Sequence, residues 1–356
     1  GEPKRRREEH SMTYDFYTGS YGKAEEPGIT HFRLDGENGT LEQADSFGGI
    51  ANPSYLAWNH EKNILYAVEE QVPEGRIFCL TERDGKLAAT GSMSTEGAAP
   101  CHICIGKKRT QVYVSNYTSG SFAVFCLKED GTLDRRIQLL VHEGKGQHPV
   151  RQERPHIHCC MEESGSLYVS DLGLDQVFRY EIQEESGLLH DSGEGLVLPG
   201  GAGPRHLLFG KQGRLAYVVC ELSNQAAVFQ RGENGWNMIQ LLSTLPDGFS
   251  GFSKASAIKM EKNHVFISNR GHDSIAVFRI LEDGLLALTG IYPSGGKTPR
   301  DIEVFGDWLI SANQESDSLT VFRIDWESGA LIPARSLAGV KAPTCIAKRE
   351  RRQYES

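Results

Sequence analysis

Five ionisable side chains of this 356-residue chain fall at comparable points of a repeated sequence pattern. His156, Arg205 and Arg300 each follow a proline directly, whereas Glu221 and Arg270 each end a short apolar segment. Burying charged groups is costly unless they are paired or bind a ligand. The cluster therefore indicates a functional site. The alternative is an internal ring of Arg–Glu salt bridges that serves only the structure.

The residue types suit proton transfer next to a bound anion. Histidine titrates near neutral pH and can remove a proton from water, with Glu221 orienting it or sharing the proton transfer. Arginine binds phosphate or carboxylate in a bidentate manner and can stabilise negative charge that develops on a carbonyl oxygen. The chain has no Gly-x-Ser-x-Gly turn, so an acyl-enzyme route is not expected. No His and Asp set has metal-ligand spacing, and we predict neither a metal nor another cofactor.

The elements that must position these residues form a repeat of 45 to 56 residues, measured between successive glycines of seven small turns. The turn glycines are Gly39, Gly85, Gly131, Gly187, Gly235, Gly284 and Gly329. The flanking segments alternate apolar and polar residues, and Asn-Gly or Asp-Gly between such segments is typical of a hairpin with a type I′ turn. One hairpin per repeat, with almost no helical periodicity, predicts a β-propeller.

Each repeat also carries two apolar strands upstream of its hairpin, which gives four strands per blade. The first hairpin, around Gly39, lacks a preceding strand that begins with proline, and Pro343–Ala347 is such a strand without a hairpin. We therefore predict an all-β, seven-bladed β-propeller with four-stranded blades, whose ring closes by pairing N- and C-terminal segments in one blade. Residues 13–350 would form one domain, and residues 1–12 a disordered arm or a segment left over from expression.

Composition excludes several functional classes. The net charge of −9 argues against a general nucleic-acid binder. No run of 18 apolar residues is present, and no apolar segment follows the basic Lys4–Arg7, so neither a membrane span nor a secretory signal is expected. The eight scattered cysteines predict a reducing, cytoplasmic location. Cys101 and Cys104 would point to opposite faces of a strand, which argues against a metal or redox pair.

The longest interval between turns contains an insertion, Val141–Glu153, that runs directly into His156. Its glycine, proline and charged residues are typical of a loop. Because it ends at His156, we predict that it overhangs the site. The alternative is a plain surface excursion.

Several of these segments together resemble the seven-bladed lactonase family, which includes propeller-type 6-phosphogluconolactonases and 3-carboxy-cis,cis-muconate lactonizing enzymes. The resemblance covers Met12 to about Ala347. The segments are Arg154–His158, Gly201–Leu207, Tyr217–Ser223, Asn269–Ile275 and Thr298–Arg300. The resemblance implies that His156, Arg205, Glu221 and Arg270 occupy the active site, and it favours the insertion Val141–Glu153 as a wall of the pocket.

The function expected from this resemblance is hydrolysis of 6-phosphogluconolactone to 6-phosphogluconate, with a small anionic sugar lactone or carboxylate as the partner. The expected catalytic residues are His156, Glu221 and Arg205, and the expected substrate-binding residues are Arg270, Arg300, His158 and His206. One alternative is a cycloisomerase that closes a carboxymuconate, which needs a proton donor instead of activated water. The other is a non-catalytic propeller that serves as a binding platform, against which the ionisable cluster argues.

Overall fold

The computed structural model describes residues 12–349, which form 28 β-strands and one short 3₁₀ helix, Gln314–Ser316. The strands pair into seven antiparallel sheets of four strands each, which confirms the predicted all-β propeller. The arm predicted for residues 1–12 lies, apart from Met12, outside the described residues. Within 12–349 no helix is long and apolar enough to cross a membrane.

Seven inner strands contact one another around the central axis. They are β4 (Leu56–Asn59), β8 (Pro100–Ile105), β12 (Ile157–Glu163), β16 (Pro204–Gly210), β20 (Lys254–Glu261), β24 (Pro299–Phe305) and β28 (Pro343–Arg349). Each pairs with a second strand. The second strands are β5 (Ile64–Glu69), β9 (Gln111–Asn116), β13 (Ser166–Asp171), β17 (Leu215–Cys220), β21 (His264–Arg270), β25 (Trp308–Asn313) and β1 (Thr13–Ser20).

The third and fourth strands of each blade form the hairpins with the repeated glycines. The third strands are β6 (Arg76–Arg83), β10 (Ser121–Leu127), β14 (Gln176–Ile182), β18 (Gln225–Gly232), β22 (Ser274–Ile280), β26 (Ser318–Ile324) and β2 (Ile29–Asp35). The outer strands are β7 (Lys86–Ser94), β11 (Leu133–Val141), β15 (Leu189–Val197), β19 (Gly235–Ser243), β23 (Leu286–Pro293), β27 (Leu331–Ala338) and β3 (Leu41–Phe47).

Blade 1 closes the ring with strands from both ends of the chain, in the order β28-β1-β2-β3. Tyr17 of β1 pairs with Ala347 of β28 in antiparallel register. The predicted closure is confirmed, and it pairs strand edges that the two ends would otherwise expose. Blades 2 to 7 then follow in chain order, from β4–β7 to β24–β27.

All seven repeated glycines have a positive φ, between +73° and +111°. A left-handed backbone of this kind favours glycine because it has no Cβ. The predicted type I′ turn is found only at Asp84–Gly85, where both φ values are positive. Elsewhere the expectation of a type I′ turn is wrong, because the preceding residue is not left-handed. In the longer loop after β2, for example, Asp35 Oδ1 accepts hydrogen bonds from the following backbone amides.

The core consists of seven apolar clusters, each between two adjacent blades. The second strands contribute a buried tyrosine in five blades: Tyr17, Tyr66, Tyr113, Tyr168 and Tyr217. Two of these hydroxyls donate to a hairpin glycine of the next blade, Tyr66 to the Gly131 carbonyl at 2.6 Å and Tyr217 to the Gly284 carbonyl at 2.8 Å. Packing between blades thus fixes the inner strands, whose ends bear the candidate site.

Candidate active site

In six of the seven blades a β-bulge near the start of the inner strand sets one side chain apart from the regular pairing. In blade 5, Pro204 pairs with Cys220 and His206 with Val219, which leaves Arg205 as the extra residue. A bulge of this kind re-aims the side chain of the extra residue. Register shifts at the same place in five other blades define the equivalent positions, which we call the bulge positions. They are Cys101, His158, Ser256, Arg300 and Thr344.

In blade 4 the structure differs from the sequence prediction by two residues. Ile157 holds the paired position that proline holds in blades 3, 5 and 7, and the bulge falls at His158. The sequence comparison treated Pro155 as the repeat proline, which put His156 in line with Arg205. That alignment is wrong because Pro155 precedes β12, which begins at Ile157, and is not paired in the blade.

The bulge residues and the residues that end the second strands enclose a cavity of about 350 Å³. Its charged lining residues are Glu70, Arg151, Glu221, Lys254, Arg270 and Arg300. Its other functional side chains are Tyr21, Cys101, Tyr117 and His158. Of the seven predicted site residues, the structure brings Glu221, Arg270, Arg300 and His158 together on the cavity wall, with Arg205 directly against Glu221.

Glu221 holds three arginines in place. Its Oε1 accepts a hydrogen bond from Arg270 Nη2 at 2.6 Å and lies 3.4 Å from Arg205 Nε, while Oε2 accepts from Arg151. Burial alone would raise the pKa of this carboxyl, but Arg270, Arg151 and Arg205 hold the pKa well below its usual range. Glu221 is therefore a carboxylate that orients guanidinium groups, and it is a weak base.

Positive charge exceeds negative charge at this site. Among the residues that the structure describes, four cations, Arg151, Lys254, Arg270 and Arg300, line the cavity against two carboxylates, Glu70 and Glu221. Arg205 lies against Glu221 and has the Asp301 carboxyl nearby as well. The Nε atoms of Arg205 and Arg270 are buried and make no hydrogen bond within residues 12–349, although Arg205 Nε lies within ion-pair distance of Glu221 Oε1, at 3.4 Å. Buried polar atoms in native proteins almost always have a partner, so these donors indicate a place for an anionic ligand.

His158 lies on the cavity wall as a neutral imidazole. Burial and the charge of Arg205 lower the pKa of this histidine well below its usual value. Its Nδ1 lies 3.8 Å from Cys101 Sγ. A neutral ring that faces the cavity can accept a proton from water.

His156 is not among the residues that line the cavity. Its Nδ1 donates to the Tyr117 carbonyl at 2.9 Å, and Nε2 lies 3.0 Å from Glu153 Oε1. The ring stacks on the Tyr117 ring with centroids 4.4 Å apart, so Tyr117 contacts both His156 and the cavity. The general-base role of His156 stays a prediction.

His206 lies one layer further down the channel, against His158 and His102 at ring-centroid distances of 5.3 and 5.2 Å. Burial and Arg205 lower the pKa of His206 well below its usual value, so this ring is neutral too. His206 Nε2 has no hydrogen-bond partner within the described part of the chain. The structure places His206 beneath the bulge residues and not among the lining residues of the cavity above.

Comparison with known proteins identifies the family. The family described as "Lactonase, 7-bladed beta-propeller" matches residues 15–348. The chain belongs to this lactonase family. It is a lactone-hydrolysing enzyme, a carboxylic ester hydrolase, so the alternative of a non-catalytic platform is wrong.

Individual relatives agree with the family assignment. The lactonase is 34% identical over 345 residues to a protein of Bacillus subtilis named 6-phosphogluconolactonase, covering 94% of this chain and 97% of the relative. It superimposes with a TM-score of 0.89 on the periplasmic gluconolactonase PpgL of Pseudomonas aeruginosa, at 28% identity and covering 95% and 99% of the two chains. A protein from Lactobacillus plantarum gives the same TM-score and identity, covering 95% and 100%.

The sequence missed Arg151, Lys254 and Tyr117 as site residues of the lactonase. Arg151 belongs to the insertion before blade 4, and its place on the cavity wall confirms the prediction that this loop forms a wall of the pocket. The loop is anchored by the fully buried Gln152, whose Nε2 donates to the Leu172 carbonyl and to Asp175 Oδ1. Tyr117 could have been found, because it occupies the position in blade 3 that Glu221 occupies in blade 5.

No group of three or more His, Cys, Asp or Glu side chains within residues 12–349 is arranged to hold a metal ion. Cys101 lines the cavity, whereas Cys104 packs in the apolar cluster between blades 3 and 4. The two thiols of this Cys-x-x-Cys segment therefore lie in different environments, as the strand geometry predicts.

Proposed function

We propose that this lactonase hydrolyses a phosphorylated sugar lactone, 6-phosphogluconolactone, to 6-phosphogluconate. The observation that carries the proposal is the excess of four cations over two carboxylates on the cavity wall. A phosphate dianion brings two negative charges, which matches this excess, and the buried Arg205 beside Glu221 can serve the oxyanion of a tetrahedral intermediate. The Bacillus subtilis relative named 6-phosphogluconolactonase supports the same substrate.

The cations differ in exposure, with some at the rim of the cavity and others buried at its floor. Arg151 is partly exposed and Lys254 is half-buried, so these two can bind a phosphate that keeps part of its hydration. Arg205 and Arg270 are each only 4% exposed and are fixed by Glu221. Buried, preorganised donors of this kind stabilise the charge that develops on the lactone carbonyl oxygen.

His158 is the proton acceptor in this proposal. It removes a proton from the water that attacks the lactone carbonyl. In the free site burial, and after it the neighbouring Arg205, hold the pKa of His158 low. A bound dianion offsets the contribution of Arg205, so substrate binding raises the basicity of His158 when a base is needed. Glu221 remains ionised throughout and holds the guanidinium groups in position.

Replacement of Lys254 by alanine tests the phosphate assignment. Lys254 forms no ion pair with another described residue, so its loss leaves no protein carboxylate unpaired. Losing a charged hydrogen bond of about 1.5–3 kcal/mol raises KM for 6-phosphogluconolactone roughly 10- to 100-fold and leaves KM for glucono-δ-lactone unchanged. Proton release measures both reactions.

Lys262→Ala is the matched control, since Lys262 lies at the opposite end of the β20–β21 hairpin and pairs with Asp307 on the surface. Equal kcat/KM for the two lactones in the unaltered enzyme would contradict the phosphate proposal. Turnover of 3-carboxy-cis,cis-muconate, followed by ultraviolet absorbance, would favour the cycloisomerase alternative instead.

We also propose that the enzyme works in the cytoplasm. All eight cysteines are free thiols. Seven of them are buried, where oxidation to a disulfide would require the structure to open. Fractionation of the native cells, with the lactonase found in a periplasmic fraction, would contradict this location.

A further inference from the structure

We infer that Tyr117 is the general acid that protonates the leaving oxygen of the lactone, and that His156 positions Tyr117 for this step. The inference rests on lactone hydrolysis and not on the phosphate group of the substrate. It gives a role to two side chains, an aromatic hydroxyl at the cavity and a histidine behind it.

Tyr117 and His158 lie side by side at the cavity. Their ring centroids are 5.4 Å apart and the rings are nearly perpendicular, at 75°. In lactone hydrolysis the carbonyl carbon bears both the attacking water oxygen and the leaving ring oxygen. The base and the acid must therefore lie beside the same carbon atom, as these two side chains do.

The hydroxyl of Tyr117 is free to donate toward the substrate. Its oxygen accepts a hydrogen bond from Arg151 Nη2 at 3.2 Å, which uses a lone pair and leaves the phenolic proton. Arg151 also stabilises the phenolate that remains after proton transfer. Burial and the Glu221 carboxylate raise the pKa of Tyr117, which keeps the phenol protonated until the leaving oxygen needs the proton.

His156 fixes Tyr117 in two ways. Its ring stacks on the phenol ring at 4.4 Å and 19°, and its Nδ1–H donates to the Tyr117 backbone carbonyl. The ring is 5% exposed, and Glu153 faces Nε2 at 3.0 Å. Because both nitrogens of His156 face oxygen atoms of the protein, His156 acts on the reaction through Tyr117.

Two proton transfers accompany the proposed hydrolysis. Water adds to the carbonyl carbon while its proton passes to His158, and the bond between that carbon and the ring oxygen breaks. Tyr117 gives its proton to the departing oxygen, which becomes the product hydroxyl, and the phenolate is held by Arg151. The proton on His158 then leaves to solvent and Tyr117 takes one back, which restores both groups.

Tyr117→Phe tests the acid role, because the loss of kcat should depend on the leaving group of the substrate. With the sugar lactone that the enzyme turns over fastest, kcat falls roughly 10²-fold and KM changes little, the usual size of a general-acid contribution. With the corresponding thiolactone the loss falls below about 10-fold, because a thiolate leaves without prior protonation. An equal loss on both substrates would overturn the acid role, since a packing defect does not distinguish leaving groups.

A double-mutant cycle tests the role of His156. His156→Ala lowers kcat roughly 10-fold, and adding it to Tyr117→Phe causes no further loss, because both changes remove one function. His156→Asn restores part of the rate through its side-chain N–H. Multiplicative losses in the double variant would overturn the positioning role and favour an independent base.

Two control variants separate these effects from general damage. Tyr66→Phe removes a buried hydroxyl that donates to the Gly131 carbonyl in the repeat core, and His264→Ala removes a ring that faces the Lys262 carbonyl. Both controls keep the kinetics of the unaltered enzyme on both substrates. Absence of a phosphate preference in the unaltered enzyme contradicts the proposed substrate and leaves this test intact.

Discussion

Two groups of bulge positions share one backbone geometry and differ in how their side chains are satisfied. In blades 1 and 6 they are Thr344 and Ser256, whose hydroxyls donate to the backbone carbonyls of Ser54 at 2.8 Å and Arg300 at 2.6 Å in adjacent blades. In blade 5 the position is Arg205, whose Nε lies 3.4 Å from the Glu221 carboxylate but makes no hydrogen bond in the described chain. The hydroxyl positions stabilise the ring, whereas the ionisable positions keep donors for a ligand.

The residues that end the second strands show the same contrast. Leu172 of blade 4 is an apolar side chain that is fully buried, while Glu221 of blade 5 is 2% exposed and needs three arginines to remain charged. A buried network of this kind costs desolvation free energy that an apolar residue avoids. In this repeat protein the functional residues lie where one blade buries charged groups at a cost in desolvation free energy that the neighbouring blades avoid.

The largest expected effect comes from the ionisable group. His158→Ala lowers kcat roughly 10²- to 10⁴-fold, because it removes the proposed proton acceptor. Thr344→Ser at the equivalent position of blade 1 keeps the hydroxyl and leaves kcat unchanged. Stopped-flow or pH-stat kinetics with 6-phosphogluconolactone compare the two. A small loss of kcat in His158→Ala would contradict this role and favour His156 as the general base.

Acid should destabilise the folded protein through the buried histidines of the channel. Burial lowers the pKa of His102 to about 3, and the pKa values of His158 and His206 lie well below their usual range. The unfolded chain therefore binds more protons below pH 6.5, and stability falls as the pH decreases. Between pH 7 and pH 5 the free energy of unfolding drops by about 2 kcal/mol per buried histidine.

Urea denaturation at the two pH values measures this loss. His102→Gln removes the contribution of one buried histidine and therefore reduces the dependence of the free energy of unfolding on pH. A free energy of unfolding that does not vary between pH 7 and pH 5 would show that these rings are protonated in the folded enzyme.

The smallest expected effect comes from the hydroxyl group. Ser256→Ala removes one buried hydrogen bond to the Arg300 carbonyl and lowers the free energy of unfolding by about 1 kcal/mol. Chemical denaturation measures the change, and KM and kcat stay as they are. A marked rise in KM would mean that Ser256 holds Arg300 in its binding geometry, and the division between the two groups would fail.

Much of the fold could be predicted because its signals are local. The hairpin glycines need a positive φ, and each of the seven has one. The lone strand Pro343–Ala347 requires the hairpin around Gly39 to complete a blade, and β28 pairs with β1 as expected. Glu221, Arg270 and Arg300 could be found because they break the pattern of their repeats at a defined position.

The site could be predicted only in part, because register is not a local property. Pro155 looks like the repeat proline, but pairing with β13 places the bulge at His158. Since successive strand residues point to opposite faces and a bulge changes that alternation, only the pairing shows which histidine faces the cavity. Arg151 and Lys254 lie outside the repeated positions that the sequence analysis compared: the insertion before blade 4 brings Arg151 to the cavity, and Lys254 begins β20.

The sequence by itself determined the number of blades, the closure of the ring and the Arg and Glu positions, because turn chemistry and strand periodicity act over a few residues. The tertiary structure decided which donors remain without an acceptor, which histidine reaches the cavity and which loop covers it. Those features depend on the packing of adjacent blades around a common axis, where side chains from distant repeats share one desolvated space.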